Sequence, residues 1–193
     1  MGAALKLIEP GRGDFLLESV EGGEVRGRYS MLGLDPDLVF RAEGAKAAIN
    51  ARWQADRERF EDLPGNALAE LRDLVDNCRI EVPAGLPPAL SFLVGYFGYE
   101  TIGLVEKLPR AAGAGLGLPD MFFARPTVLL VFDRLTDELV CVAPIWPGGA
   151  SPKAGIEAAS DRIDETLRRL AAPPPLATRA EALPDMALTS TMP

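Results

Sequence analysis

The chain has 193 residues, of which 48% are apolar and 25% charged, and these proportions suit one globular domain with a buried core. It carries 20 Lys and Arg against 28 Asp and Glu, and the net charge of -8 argues against a nucleic-acid partner, because backbone binding depends on clustered basic side chains. The sequence contains no His, which excludes His-based triads and His metal ligands, and its two cysteines, Cys78 and Cys141, lack the spacing of a zinc or redox motif.

No run of about 18 uninterrupted apolar residues is present, as a membrane-spanning helix would require. The most apolar segment, residues 88–100, is divided by Gly95 and Gly98. The first residues, with charges at Lys6 and Arg12, do not form the apolar core of a signal peptide. We therefore expect a cytoplasmic protein without a membrane partner.

Two short strands are predicted near the start of the chain, from Phe15 to Ser19 and from Tyr29 to Leu34, separated by the Gly-rich loop at residues 21–24. A second hairpin follows, from Leu38 to Arg41 and from Lys46 to Arg52, with the turn at Glu43-Gly44. The first hairpin ends in polar residues on both strands.

Residues 54–62 are charged, have no apolar face and predict a connection. Apolar residues at spacings of three and four then predict a helix from Ala67 to Cys78, with Asn66 as its N-cap. Cys78 completes the apolar stripe of this helix, and we interpret it as a small core residue rather than a reactive thiol.

In the second half, residues 89–96 predict a buried strand, and residues 100–105 a short helical turn. Thr127 to Asp133 and Glu138 to Ala143 predict a hairpin rich in Val, Leu and Phe. Ser151 and the proline after it begin an amphipathic helix, whose stripe is Ile156, Ala159, Ile163, Leu167 and Leu170.

The composition changes at Ala171, where a Pro-rich stretch begins. We therefore predict a domain over residues 1–170 and a linker over residues 171–193. The fold class predicted is α+β, with a mixed, mostly antiparallel sheet and two or three packed helices.

The sequence predicts no catalytic residue and no metal site. Glu18 and Glu100 are the nearest candidates for acid catalysis, but neither belongs to a carboxylate pair set in an apolar stretch. Asp35-Pro36-Asp37 offers two carboxylates, which are too few for an oxygen-ligated cation.

The first hairpin favours a binding site for a free amino acid. Such a ligand requires a carboxylate or carbonyl group, N–H donors and an apolar or aromatic wall, and Glu18, Ser19, Arg28 and Tyr29 supply these types. Side chains alternate along a strand, so Glu18 and Ser19 point to opposite faces and Ser19 shares the face of Leu17. A polar strand end that binds nothing remains the alternative.

Several stretches resemble, in order, the N-terminal region of anthranilate synthase component I: residues 15–24 with 28–36, then 95–100, 105–109, and 118–120 leading into 125–133. The resemblance extends from about Leu5 to Trp146. It continues weakly to residues 189–192, which look like the segment that introduces the C-terminal catalytic domain of this family.

The resemblance implies an enzyme of tryptophan biosynthesis. This family of lyases converts chorismate to anthranilate and pyruvate, with ammonia that a partner glutamine amidotransferase component supplies. The chorismate site, the Mg²⁺ ligands and the acid–base groups belong to the family's C-terminal chorismate-binding domain. We therefore expect this region alone to be inactive and to hold no cofactor.

For the N-terminal region, the resemblance implies allosteric feedback inhibition by L-tryptophan. Leu17, Glu18 and Ser19 match the family's binding motif. On the second strand, Arg28, Tyr29 and Ser30 complete the expected ligand-binding set, although some members carry Lys where Tyr29 stands. Two alternatives remain: the equivalent domain of aminodeoxychorismate synthase component I, and a structural half that binds no ligand alone.

Overall fold

Two sheets and three α-helices make up the part of the chain that the computed structural model describes, residues 2–18, 27–87, 90, 93–107, 116–146 and 151–173. The elements, in chain order, are α1 (Gly2–Leu7), β1 (Phe15–Leu17), β2 (Tyr29–Leu34), β3 (Leu38–Glu43), β4 (Lys46–Asn50), β5 (Glu61–Leu63), α2 (Ala67–Asn77), β6 (Val94–Phe97), a 3-10 helix (Tyr99–Leu104), β7 (Met121–Arg125), β8 (Val128–Asp133), β9 (Glu138–Val142) and α3 (Pro152–Ala171). The predicted α+β class is confirmed.

The first sheet has the strand order β1-β2-β8-β9, and the second has the order β5-β4-β3-β7-β6. All strand pairs within the described ranges are antiparallel, so the sheet predicted as mixed is instead two antiparallel sheets. The hairpins predicted over residues 38–52 and 127–143 are confirmed as β3–β4 and β8–β9.

A two-stranded ribbon joins the sheets, because β2 leads directly into β3 and β7 leads directly into β8. At the bend, the Asp37 N–H donates to the Arg125 carbonyl oxygen at 3.1 Å, and the Thr127 N–H donates to the Leu34 carbonyl oxygen at 3.0 Å. The Arg125 guanidinium also holds the Asp37 carboxylate in a bidentate pair at 2.8 and 2.9 Å. Asp35 adopts a φ of +49°, which Asp tolerates better than most residues.

Three groups of buried side chains stabilise this arrangement. Helix α2 packs on the second sheet around Phe40 and Met121. Helices α1 and α3 cover one face of the first sheet, where Leu7 contacts the group that contains Leu32 and Leu130. A smaller group lies on the opposite face, formed by Met31, Leu129 and Val131. Strands β2 and β8 are therefore buried on both faces, which explains their nearly continuous apolar sequences.

The helix starts follow the predicted capping residues. The Asn66 side-chain oxygen accepts a hydrogen bond from the backbone N–H two residues later at 3.0 Å. The Ser151 hydroxyl caps α3 by accepting a hydrogen bond from the backbone N–H three residues later, and proline follows Ser151 at the first helical position. At its other end α3 is fixed to α1, because Arg169 donates to the Lys6 and Leu7 carbonyl oxygens at 3.1 Å.

Four elements differ from the prediction. The short helix α1 and the strand β7 were not predicted, and the residues predicted as a charged connection include the edge strand β5. The strand predicted over residues 89–96 is present in part, as β6, but the prediction that it is buried is wrong. Strand β6 lies at the sheet edge, where Tyr96 and Phe97 are 39% and 58% exposed. Residues 88, 89, 91 and 92 are outside the described ranges.

The apolar stripe predicted on α3 is only partly buried. Ala159 is buried, and Leu170 packs against the core, whereas Ile156 and Leu167 are 61% and 46% exposed. The helix continues to Ala171, and most of the predicted linker, residues 174–193, lies outside the described residues. Among the helices described, none is both long and apolar enough to cross a bilayer.

Candidate functional site

The hairpin of β1 and β2 carries the predicted site, and its register sorts the residues onto two faces. Phe15 lies opposite Gly33, and Leu17 lies opposite Met31. Because side chains alternate along each strand, Leu17 and Tyr29 share one face. Ser19 lies outside the described residues, so its predicted role stays a prediction.

We call the first surface the tyrosine face; it consists of Phe15, Leu17, Tyr29, Met31 and Gly33. The Phe15 ring covers Gly33 so closely that an added Cβ there would lie 2.1 Å from Cε1 of Phe15. Leu17, near the open end of the hairpin, is 48% exposed. Among the described residues, the face therefore has a packed apolar base and an open end at Leu17.

The opposite surface, which we call the helix face, contains Leu16, Glu18, Ser30 and Leu32. These residues and Arg134 line an open cavity of about 290 Å³, which also borders α1. The Arg134 guanidinium lies 3.6 Å from the Glu18 carboxylate and donates to the Ser30 hydroxyl oxygen at 3.3 Å. Glu18 and Ser30 are thus brought together, but on the face that Leu17 and Tyr29 do not share.

Arg28 is engaged by a residue that the sequence did not indicate. Its Nε lies 2.8 Å from Oδ1 of Asp133, and its Nη2 lies 2.5 Å from Oδ2. The Leu135 N–H also donates to the Asp133 carboxylate, at 3.0 Å. These bonds, chiefly those from Arg28, lower the pKa of Asp133 to about 2. The carboxylate is therefore ionised at neutral pH.

The Arg28 guanidinium carbon lies 4.8 Å from the centre of the Tyr29 ring, within the range of a cation–π contact. Tyr29 is also the direct cross-strand partner of Asp133. Sequence reasoning could not find Asp133, because 105 positions separate it from Arg28 and the β2–β8 pairing has no local signal.

A second cavity, of about 400 Å³, lies between α2 and β6 and is lined mostly by apolar side chains, including Leu71, Val75, Leu93, Phe97 and Phe123. Cys78 borders it, and burial raises the pKa of its thiol. The prediction that Cys78 is a buried core residue is confirmed.

The charged residues around the hairpin form ion pairs. In the described ranges, no group of three His, Cys, Asp or Glu side chains converges so as to hold a metal ion. The charged side chains Arg28 and Glu18 are instead paired with residues at the end of β8, Arg28 with Asp133 and Glu18 with Arg134. The tyrosine face leaves Leu17 half exposed, whereas the helix face holds the open cavity lined by Glu18, Ser30 and Arg134.

Known proteins that share one name are similar to this chain over most of its length. A protein of Cereibacter sphaeroides named anthranilate synthase component 1 is 45% identical over 172 residues, which are 89% of this chain and 34% of the relative. A protein of the same name from Thermus thermophilus is 35% identical over 173 residues, which are 90% of this chain and 34% of the relative. No protein-family model matches the chain.

A solved structure has a similar fold. The crystal structure of anthranilate synthase component I from Streptococcus pneumoniae aligns with a TM-score of 0.60 and 20% sequence identity, over 90% of this chain and 34% of that chain. This chain therefore spans about a third of the length of the relatives it matches.

Proposed function

This chain is homologous to the N-terminal third of the anthranilate synthase component I proteins, and we propose on that premise that it is the regulatory region of such an enzyme. The complete enzyme would convert chorismate to anthranilate and pyruvate in tryptophan biosynthesis. Its glutamine amidotransferase partner would supply the ammonia. By the family resemblance, the Mg²⁺ that this reaction would use would be held by the C-terminal chorismate-binding domain of the complete protein.

The regulatory ligand would be L-tryptophan, bound at the tyrosine face. One observation supports this choice of face: Leu17 and Tyr29 share it, and its end is open although its base is packed. An indole ring needs an apolar or aromatic wall, and an exposed leucine beside a tyrosine ring offers one. Ser19 would lie on the same face by the alternation of strand residues.

Binding here would regulate by linkage. A ligand that favours one arrangement of this region and the catalytic domain shifts the enzyme toward that arrangement by its difference in affinity for the two. The open end of the tyrosine face would be closed by the remainder of the protein. Glu18 and Ser30, on the helix face, would then contribute through the backbone or by holding the hairpin in shape.

We test this proposal with matched tyrosine substitutions in the complete enzyme. Tyr29→Ala removes the aromatic wall and is expected to raise the tryptophan concentration for half-maximal inhibition about tenfold, since a buried aromatic contact contributes about 1.5 kcal/mol or more. Tyr99→Ala is the control, because Tyr99 is 89% exposed and lies in the 3-10 helix that follows β6, an edge strand of the second sheet.

Calorimetry with L-tryptophan on the chain itself gives the complementary measurement. A dissociation constant about tenfold higher in Tyr29→Ala and unchanged in Tyr99→Ala is the expected result. Equal inhibition of both variants and the wild type in the complete enzyme would refute the site. An enzyme that L-tryptophan does not inhibit at all would favour the structural-half alternative.

A further inference from the structure

The contact between Arg28 and Asp133 has the geometry of a fixed pair rather than a free surface charge. Two nitrogens of the Arg28 guanidinium, Nε and Nη2, donate to the two carboxylate oxygens of Asp133 at 2.5–3.0 Å. Such bidentate pairing uses the planar fork of the guanidinium and sets its orientation as well as its position. Asp133 is buried, at 7% exposure, whereas the Arg28 side chain is 30% exposed, so the pair is partly shielded from water.

Asp133 is itself held independently of Arg28. It is the last residue of β8, and the Leu135 N–H in the following turn donates to its Oδ1 at 3.0 Å. The Arg134 N–H donates to the Arg28 carbonyl oxygen at 3.0 Å, which joins the start of β2 to the same turn. The anchor of the pair therefore belongs to the rigid strand end, and Arg28 is the side chain that it positions.

The positioned guanidinium lies against the ring of Tyr29. Its carbon is 4.8 Å from the ring centre, and Tyr29 faces Asp133 directly across the strand pair. A cation held over one side of a ring restricts its rotation and leaves the other side for a further contact. Arg28 is thereby less available as a direct ligand for a carboxylate, although it was predicted to be one.

We propose that Asp133 is a positioning residue of the amino-acid site: it holds Arg28 over the ring of Tyr29 and so fixes the ring against which the ligand packs. This inference rests on the proposed function for the identity of the ligand. Its structural part, the coupling from Asp133 through Arg28 to Tyr29, can be measured without any ligand.

The nearby charged groups do not replace the pair. Arg134 lies on the helix face, where it contacts Glu18 and Ser30. Asp137 lies in the β8–β9 turn with a φ of +55°, a conformation that Asn also adopts readily. Asp137→Asn thus makes the same change of charge as Asp133→Asn, four residues further along the chain and outside the pair of Arg28 with Asp133, and serves as the matched control.

The experiment uses nuclear magnetic resonance of the tyrosine rings in the full chain. The sequence has three tyrosines, and Tyr29→Phe assigns the signals of Tyr29. Asp133→Asn is expected to shift these signals and to broaden the Arg28 Nε–H, whereas Asp137→Asn changes neither. Unchanged Tyr29 signals in Asp133→Asn, in a variant whose other amide signals remain dispersed, would overturn the proposal.

Ligand affinity supplies the second readout, measured as tryptophan binding to the chain and as inhibition of the complete enzyme. Asp133→Asn is expected to weaken tryptophan about tenfold, the effect of losing one charge-assisted contact, and Asp133→Glu to recover part of the loss. In Asp133→Asn combined with Arg28→Gln, the loss should not exceed that of either single variant, because both act through one contact.

The outcomes separate the two proposals. Shifted Tyr29 signals together with a wild type that never responds to L-tryptophan would refute the proposed function and support the coupling. Losses of affinity that add in the double variant, or an equal loss in Asp137→Asn, would overturn the positioning role of Asp133.

Discussion

At the scale of single residues, Asp133 connects the geometry of the hairpin to its dependence on pH. The Arg28 hydrogen bonds lower its pKa from 3.8 to about 2, so the folded protein holds this proton less tightly than the unfolded chain. The pair therefore contributes its full stability above about pH 4 and loses it as the pH falls through the folded value near 2.

Asp133→Asn is expected to lower the urea midpoint at neutral pH. Its deficit relative to wild type should shrink between about pH 4 and pH 2, because the wild-type carboxylate becomes protonated there. Urea unfolding curves recorded at several pH values measure this difference. A deficit that stays constant over that range would show that the ion pair does not contribute in the way described.

Asp35 provides a control in which ionisation of the carboxyl group lowers the stability of the fold instead of raising it. Burial raises its pKa, so its ionised form costs stability at every pH above that raised value. Asp35→Asn, which keeps a side chain compatible with the φ of +49°, should raise the urea midpoint at neutral pH. The gain should disappear in acid, where Asp35 is protonated in the wild type as well.

At this scale the sequence predicted which strand residues share a face, but not the partners of the charged ones. Strand periodicity places Leu17 and Glu18 on opposite faces, and the register of β1 with β2 agrees with this alternation, whereas the place of Ser19 beside Leu17 stays a prediction. Asp133 and Arg134 could not be predicted, because they reach the hairpin through a long-range strand pair. The sequence also could not show that the Arg28 guanidinium is already engaged.

At the scale of elements, the pairing of β6 with β7 depends on Gly95, which has no side chain. A Cβ on Gly95 would lie 1.9 Å from the Phe122 carbonyl oxygen and 2.7 Å from the Phe123 Cα, both of them backbone atoms of β7. These backbone atoms cannot move aside as the end of a flexible side chain could. The close approach of β6 to β7 therefore requires glycine at this position.

Gly95→Ala is expected to destabilise the chain by about 3 kcal/mol and to loosen β6 from β7, since overpacking forces the backbone apart. Gly103→Ala is the matched control: a Cβ there meets no atom within 4 Å, and the exchange should change stability by less than about 1 kcal/mol. Urea midpoints and amide exchange in β6 measure both variants. Equal stability of the two would contradict the proposed close packing.

The elements that the sequence predicted correctly are those with strong local signals. Helix α2 has both a capping asparagine and an apolar stripe, and the β3–β4 and β8–β9 hairpins have apolar arms around polar turns. Strand β5 was missed because its residues Glu61 and Asp62 are charged, as suits a sheet edge. Strand β6 was wrongly expected to be buried, because its apolar sequence does not reveal that it is an edge.

At the scale of the whole molecule, the β2–β3 and β7–β8 ribbon makes the two sheets interdependent. Each strand of the ribbon contributes to both sheets, and the buried prolines Pro36 and Pro126 lie where it bends. A sequence pattern shows strands and turns, but it does not show whether two consecutive strands belong to one sheet. For this reason one sheet was predicted from the sequence, whereas the structure has two.

This connection predicts that the two sheets unfold together. Arg125→Gln breaks the bidentate pair with Asp37 at the bend and should cost about 2 kcal/mol, the value of a hydrogen-bonded ion pair that is only partly exposed.

Two signals report on the two sheets separately. The fluorescence of Trp53 and Trp146 follows the bend and the second sheet, and amide exchange at Leu129 to Val131 follows the first sheet. Both signals should move to lower denaturant by the same amount, because β2 continues into β3 and β7 into β8, which links the central strands of the two sheets. Arg79→Gln is the control, since its pair with Asp76 is well exposed and should contribute less than about 0.5 kcal/mol. Separate transitions for the two signals in the wild type would instead mean that each sheet folds as an independent unit and that the ribbon only links them.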